Sequence, residues 1–386
     1  MIVYNKEMLE NTFLLAQAKR LNTHGFISDN QLKEIKGQLP KLKSNSNLLI
    51  RIGFFLLGSF LYSSIIGVFS LFTINLIDSY IGVIMLLYTI IGIVASEFLA
   101  REQFHYGFGV DDAFILGFQG FFCGAIGISL ESPLAALITM TFIGFVACIR
   151  YLHTLSALLS LIGLISTICY LVIENKVVDT LFLPFVLLLL SIIFYLVYLR
   201  ISQSIKLKYY ENSILILQAV SLLLGYFSVN YLVVRELSES LLGLTIANGE
   251  DIPFAFLFYG FTFVIPVFYI VYSLYSKDKL MLLLGFFTTG FSVFTIRYYH
   301  QILPIEVALM LGGTLLFAIA YFGIRILKDK ETGITFKPAR NSNSDLLTNL
   351  EALAVNSQVD LNSMESESKM PFGGGGFSGG GSGESF

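Results

Sequence analysis

Charge is scarce in this chain of 386 residues: Asp, Glu, Lys and Arg together make up 13% of it. A soluble domain carries about 25%. So little charge does not cover a soluble surface of this size, and for much of the chain the solvent must be lipid. Tryptophan is absent, and cysteine occurs three times, as Cys123, Cys148 and Cys169, each in an apolar stretch. With no CxxC and no Cys/His cluster, neither a disulfide framework nor a metal site is expected, and the thiols read as small hydrophobes. A formal net charge of −3 without a long basic run argues against a nucleic-acid partner. The motifs GxSxG, HExxH and GxxxxGK(S/T) are all missing. GFGVDD follows no strand, so it is not a nucleotide loop, and no Ser/His pair or paired acids can be assembled at one depth. The expectation is a protein that is not an enzyme and uses no cofactor.

What is abundant is apolar length. Hydrophobic residues make up 55% of the chain, and the mean hydropathy is +0.76. A helix needs about 20 apolar residues to cross a bilayer. Ten segments meet that measure: Leu48–Phe72, Tyr80–Leu99, Asp111–Ile128, Pro133–Ile149, Leu152–Ile173, Leu181–Leu199, Ser213–Val234, Pro253–Tyr275, Leu280–Ile296 and Leu303–Leu327. The third, fourth and ninth are short. The first begins behind a polar leader, without the pattern of a secretory signal, so it is expected to target the chain itself. The fold class predicted is all-α and polytopic, with about ten spans.

Basic residues set the expected orientation, because Lys and Arg resist translocation. The leader holds Lys19, Arg20, Lys33, Lys36, Lys41 and Lys43; alternate loops hold Arg101, Arg150, Arg200 with Lys206 and Lys208, and Lys277 with Lys279. Arg325, Lys328, Lys330, Lys337 and Arg340 follow the tenth span. The intervening loops carry mainly acids. Both termini are therefore expected on the cytoplasmic side of a cell (inner) membrane.

Four regions follow: a helical hairpin (1–47), the membrane domain (48–327), a linker with one short amphipathic helix (328–370) and a Gly/Ser-rich disordered tail (371–386). In the hairpin, NKEMLENTFLLAQAKRL has helical spacing, and SDNQLKEIKGQL restarts it with Ser28 and Gln31 as a capping box. Ile27, Leu32, Ile35 and Leu39 give the second helix an apolar edge. Short helices are marginal unless packed, so the hairpin is expected to dock on the membrane domain; binding a partner is the alternative. In the linker, Leu346, Leu347, Leu350 and Leu353 share a helical spacing. The tail, PFGGGGFSGGGSGESF, has nothing to bury, although Phe372, Phe377 and Phe386 offer weak contacts. Partners beyond the lipid bilayer would be proteins reached through the hairpin or this tail.

The leader, with Gly25, Phe26, Ile27, Ser28, Gln31, Leu32 and Ile35 ahead of many apolar helices, resembles the bacterial membrane proteins of domain-of-unknown-function 2157. That resemblance implies a multi-pass membrane protein and brings no substrate or catalytic residue. The glycine runs of the tail resemble the ends of several bacterial membrane-anchored envelope proteins.

The richest stretch for chemistry is FHYGFGVDDAFILGFQGFFCGAIG. At 100° per residue, Ala113, Gly117, Gly120, Gly124 and Gly127 form one stripe, a seam for close helix packing. Beside it Asp112 and Gln119, seven residues apart, share a face with Cys123. This face is a candidate polar path, or Asp112 caps the helix and Gln119 bonds across helices. His105 precedes the acid pair Asp111/Asp112 by a flexible turn, and a metal role is not expected. Arg297 and Glu306 are a candidate ion pair across the turn before the tenth span. The reading that results is a structural or partner-binding component of a bacterial inner membrane, with a small-molecule or ion transporter as the alternative.

Overall fold

The computed structural model describes residues 2–23, 25–45, 47–242 and 251–299, together with Met310, Gly313, Thr314, Phe317, Tyr321 and Arg325. Among the described residues the chain forms twelve α-helices and no strand. They are α1 (Lys6–Thr23), α2 (Asp29–Gln38), α3 (Leu48–Thr73), α4 (Ile77–Arg101), α5 (Val110–Ser129) and α6 (Pro133–Tyr151). Then come α7 (Thr154–Ile173), α8 (Leu183–Ser202), α9 (Glu211–Phe227), α10 (Tyr231–Leu242), α11 (Ala255–Ser276) and α12 (Lys279–Tyr299). Eight of them, α3 to α8 with α11 and α12, are long and apolar enough to cross a membrane. Their outer faces display side chains such as Phe60, Phe72 and Phe256, at least 74% exposed. Apolar area on that scale is tolerated where the solvent is hydrocarbon.

The spans pack as two bundles. In the first, α5 is surrounded by α3, α4, α6 and α7; in the second, α9 contacts α8, α11 and α12, and its contact with α7 joins the halves. Local signals set the helix starts. Asn47 accepts the Leu49 N–H ahead of α3; Ser132 caps α6, with Pro133 in its first turn. Leu152 is left-handed, φ 50°, so α7 starts at Thr154 rather than at Leu152.

The seventh expected span, Ser213–Val234, is not one helix. It breaks after Phe227, and α10 leaves at 74° to α9. The polar side chains around Ser228–Asn230 explain why the break is tolerated. Asn230 Oδ1 accepts the Val233 N–H, and Thr262 Oγ1 accepts the Tyr231 N–H. Two backbone N–H groups at the bend thus have side-chain partners, which an apolar medium demands. The sequence of α10, YLVVRELSESLL, is amphipathic and lacks the uniform apolar character of a span. The tenth expected span, the linker helix and the tail lie outside the described residues.

The hairpin forms and docks. Gln31 N–H donates to Ser28 Oγ and Ser28 N–H donates to Gln31 Oε1, completing the capping box; Leu32 is buried. Gly25, at φ +77° between the helices, adopts a conformation that favours glycine. From α1 and its flanks, Val3, Tyr4, Leu9 and Leu42 are buried in one cluster with Ala100, Ile115, Phe118, Ala147, Tyr151 and Leu152. Val3 N–H bonds Arg150 O at 3.0 Å, and Lys43 exchanges backbone bonds with Phe104 O and Tyr106 N. The docked leader therefore covers the ends of the first bundle.

Candidate functional site at the head of α5

The loop before α5 is shaped by Asp111. Its carboxylate accepts three backbone N–H groups, from Gly107 (2.8 Å), Phe108 (3.0 Å) and Gly109 (2.9 Å). Gly109, at φ +115°, has no substitute here: a Cβ would fall 2.4 Å from Arg51 O. Tyr4 roofs the loop, edge-on to Tyr106 with ring centroids 5.1 Å apart. Burial, then the nearby negative charge of Asp111, pushes the Tyr4 phenol well above its usual range.

Asp112 does not cap α5, as one expectation had it. The N-cap is Gly109, without a side-chain cap bond, and the N–H groups that Asp111 accepts lie in the loop up to that residue. Asp112 instead turns to α3, where Arg51 Nε lies 2.6 Å from Oδ2 and Nη2 lies 2.9 Å from Oδ1. This two-pronged pairing is the strong geometry for guanidinium and carboxylate. Asp112 Oδ1 is also 3.1 Å from His153 Nε2, although that approach falls outside hydrogen-bond geometry. His153 is the N-cap of α7: its Nδ1 accepts the Ser156 N–H at 3.2 Å. The Ser156 hydroxyl, 2.7 Å away, therefore donates to the same nitrogen. Gln119 Nε2 donates to Ser156 Oγ and to Ile115 O, both at 2.7 Å.

Between Asp112 and Gln119, paired on one face in the sequence, stand His153 and Ser156: Ser156 bonds both Gln119 and His153, and His153 Nε2 lies 3.1 Å from Asp112. The line runs about 10 Å along α5. Sequence reasoning passed over both linking residues. The available signal was local: His and Ser three apart, at the entry to an apolar helix, have the spacing of an N-cap and its third helical residue. Asp, His and Ser here stand in the order of a hydrolase relay, yet Ser156 is wholly buried and Asp112 is 3% exposed. Gln119 Oε1 is buried without a hydrogen-bond partner.

The small-residue stripe touches three helices rather than one. Ala113 meets Gly58 of α3, a Cβ at Gly117 would strike the Tyr62 ring at 2.2 Å, Gly124 meets Met85 of α4, and Gly127 meets Ala136 of α6. Gly120 corrects the expected seam: it is exposed, and a Cβ there would meet nothing within 4 Å. The neighbours cross α5 at different heights, so a stripe on a helical wheel is not one contact line. Leu116, about 100° off the stripe, is half-buried. His105 stacks on Phe108, centroids 4.5 Å apart, and no group of three or more metal-ligating side chains occurs among the described residues. Arg297 lies in the last turn of α12, while Glu306 lies outside the described residues.

A second polar cluster, unforeseen from sequence, sits at the α9–α10 break. Tyr226 shares a hydrogen bond with Ser292 Oγ at 2.7 Å. Asn230 Nδ2 donates to Tyr226 (2.9 Å) and Thr295 (3.2 Å), and Ser292 Oγ donates to Thr262 O. Beside this break lies an apolar cleft of about 160 Å³ between α8, α9 and α10, lined by residues including Leu187, Leu224 and Val234. No family model, curated protein or solved structure matches the chain.

Proposed function

We propose that this multi-pass membrane protein belongs to a bacterial inner membrane and works by holding a protein partner, without turnover. One observation carries the reading: both carboxylates at the head of α5 are engaged within the protein, and the leader is packed over them. Both Asp112 oxygens are engaged, as are both of Asp111. A transport site would keep such groups open to a ligand. Over this clamp, α1 holds α2 outward; among the helices α2 packs on α1, and Phe26 at the hairpin tip is 78% exposed. The leader's resemblance to domain-of-unknown-function 2157 fits the same class.

The partner surface is the distal half of the hairpin. Phe26→Asp should abolish co-purification of a protein held in stoichiometric amount, with an unchanged Tm in detergent. A partner retained by that variant, or no stoichiometric partner at all, overturns the reading. The alternation of basic loops supports cytoplasmic termini. In a background stripped of native cysteines, an impermeant thiol reagent on intact cells should label Ser240→Cys and spare Ser204→Cys; the reverse would refute that orientation.

A transporter is the second reading, supported by the broken helix at Ser228–Asn230, because discontinuous helices build many transport sites. It requires a small solute that raises Tm in a saturable way.

A further inference from the structure

We propose that the leader is a brace: α1 fastens the second bundle to the first beyond the ends of the spans. The joint between the bundles is thin. Among the described spans it is chiefly α7 against α9, and hydrocarbon solvates an apolar helix face about as well as a neighbouring helix does. Two bodies joined by a small interface move against each other by default. Past the span ends water is the solvent, and there the burial of apolar side chains is favourable.

Leu9 and Glu10, about 100° apart on α1, divide the helix between the bundles. Leu9 is 1% exposed and belongs to the cluster that holds Ala100, Ile115 and Ala147 of the first bundle. Glu10 turns instead to the segment that leads from α8 into α9. There Tyr209 donates its O–H to Glu10 Oε1 at 3.0 Å. Phe13, three residues on and so on the same face of α1, meets the Tyr209 ring edge-on, with centroids 5.2 Å apart. One helix thus holds Tyr209 by a polar and an apolar contact. The next residue, Tyr210, donates to Ile149 O of α6 at 3.0 Å. In the first turn of α9, Ser213 Oγ accepts the Cys148 thiol at 3.6 Å, a weak bond. Tyr209, Tyr210 and Ser213 therefore attach the head of α9 to the first bundle, and the Tyr209 attachment is the leader's. Released from α1, the second bundle would keep the other two and swing more widely about the α7–α9 joint.

The test is the distance between two spin labels on the full-length chain in lipid nanodiscs, with Cys123, Cys148 and Cys169 replaced by serine. The labels sit at Glu102→Cys on the first bundle and Gln203→Cys on the second, both exposed positions. The intact leader should give one narrow distribution. Glu10→Ala combined with Phe13→Ala should give a broader one, shifted to longer distance, at unchanged helical content. Should the combined variant lose helicity, Glu10→Ala alone decides by the same measure, with a smaller shift in the same direction. Gln17→Ala, at an exposed position of α1, should leave the distribution as it is. An unchanged distribution when Glu10 and Phe13 are removed would overturn the proposal. So would equal broadening in Gln17→Ala, which would report general loosening rather than a lost brace.

Discussion

The two bundles handle polar groups in a membrane differently. In the first, around α5, ion pairs crowd the helix ends: Arg51 with Asp112 in the first turn of α5, and Glu97 with Arg150 and Arg101. In the second, around α9, the cluster at the α9–α10 break is neutral. Tyr226, Asn230, Ser292, Thr295 and Thr262 form hydroxyl and amide bonds roughly two turns from the ends of α11 and α12. The difference follows depth. A charge is costly at mid-membrane, whereas near a helix end a long side chain reaches water while its partner stays buried. Hydroxyls and amides find partners at any depth, each contributing little.

The largest effect is expected where the first bundle loses a charge. Arg51→Leu strands a buried carboxylate and should cost about 3–5 kcal/mol. Asp112→Asn should cost less, because the Arg51 side chain is 34% exposed against 4% for Asp112. Detergent unfolding of both variants checks this; equal losses would show that packing, not charge, holds the cluster.

Packing within the same bundle comes next. Gly117→Ala drives a methyl into the Tyr62 ring and should cost about 1–3 kcal/mol. Gly120→Ala meets open space and should be neutral or slightly stabilising, by up to about 1 kcal/mol, since alanine favours helix. Similar melting temperatures for the two would put the contacts of α5 elsewhere.

In the second bundle, Asn230→Ala removes the cap of α10 and two interhelical bonds. Single bonds in a bilayer average about 0.6 kcal/mol and caps about 1 kcal/mol, so the loss should be about 1–2 kcal/mol, below that of Arg51→Leu. A larger loss would erase the contrast between the bundles.

The smallest effect concerns His105. Burial, and then the charge of Lys43, lower its pKa below the ordinary 6.5. The fold thus favours neutral imidazole. Its contribution is full above pH 6.5 and is lost as pH falls from there toward the folded-state pKa. Below pH 6.5 the wild type should lose slightly more Tm than His105→Phe, which keeps the stack on Phe108. Parallel pH curves would show that the ring is solvated.

The sequence alone determined class, hairpin and the approximate ends of nearly every described span, because burying a backbone in lipid leaves few solutions and apolar length reports it directly. Capping was legible because Ser28 and Gln31 act within one turn, and no distant residue is needed. Asp112 and Gln119 were legible as a pair, since seven residues along a helix share a face.

Their partners were not legible. Arg51 stands 61 residues from Asp112 and Ser156 stands 37 from Gln119, and apolar periodicity carries no record of which helix lies next to which. The role of Gly120 was misread because a wheel cannot say where neighbours cross. The break after Phe227 was missed because Ser213–Val234 is apolar enough to span. Tertiary packing brings Thr262 to the break, where it accepts the Tyr231 N–H and lets the chain turn.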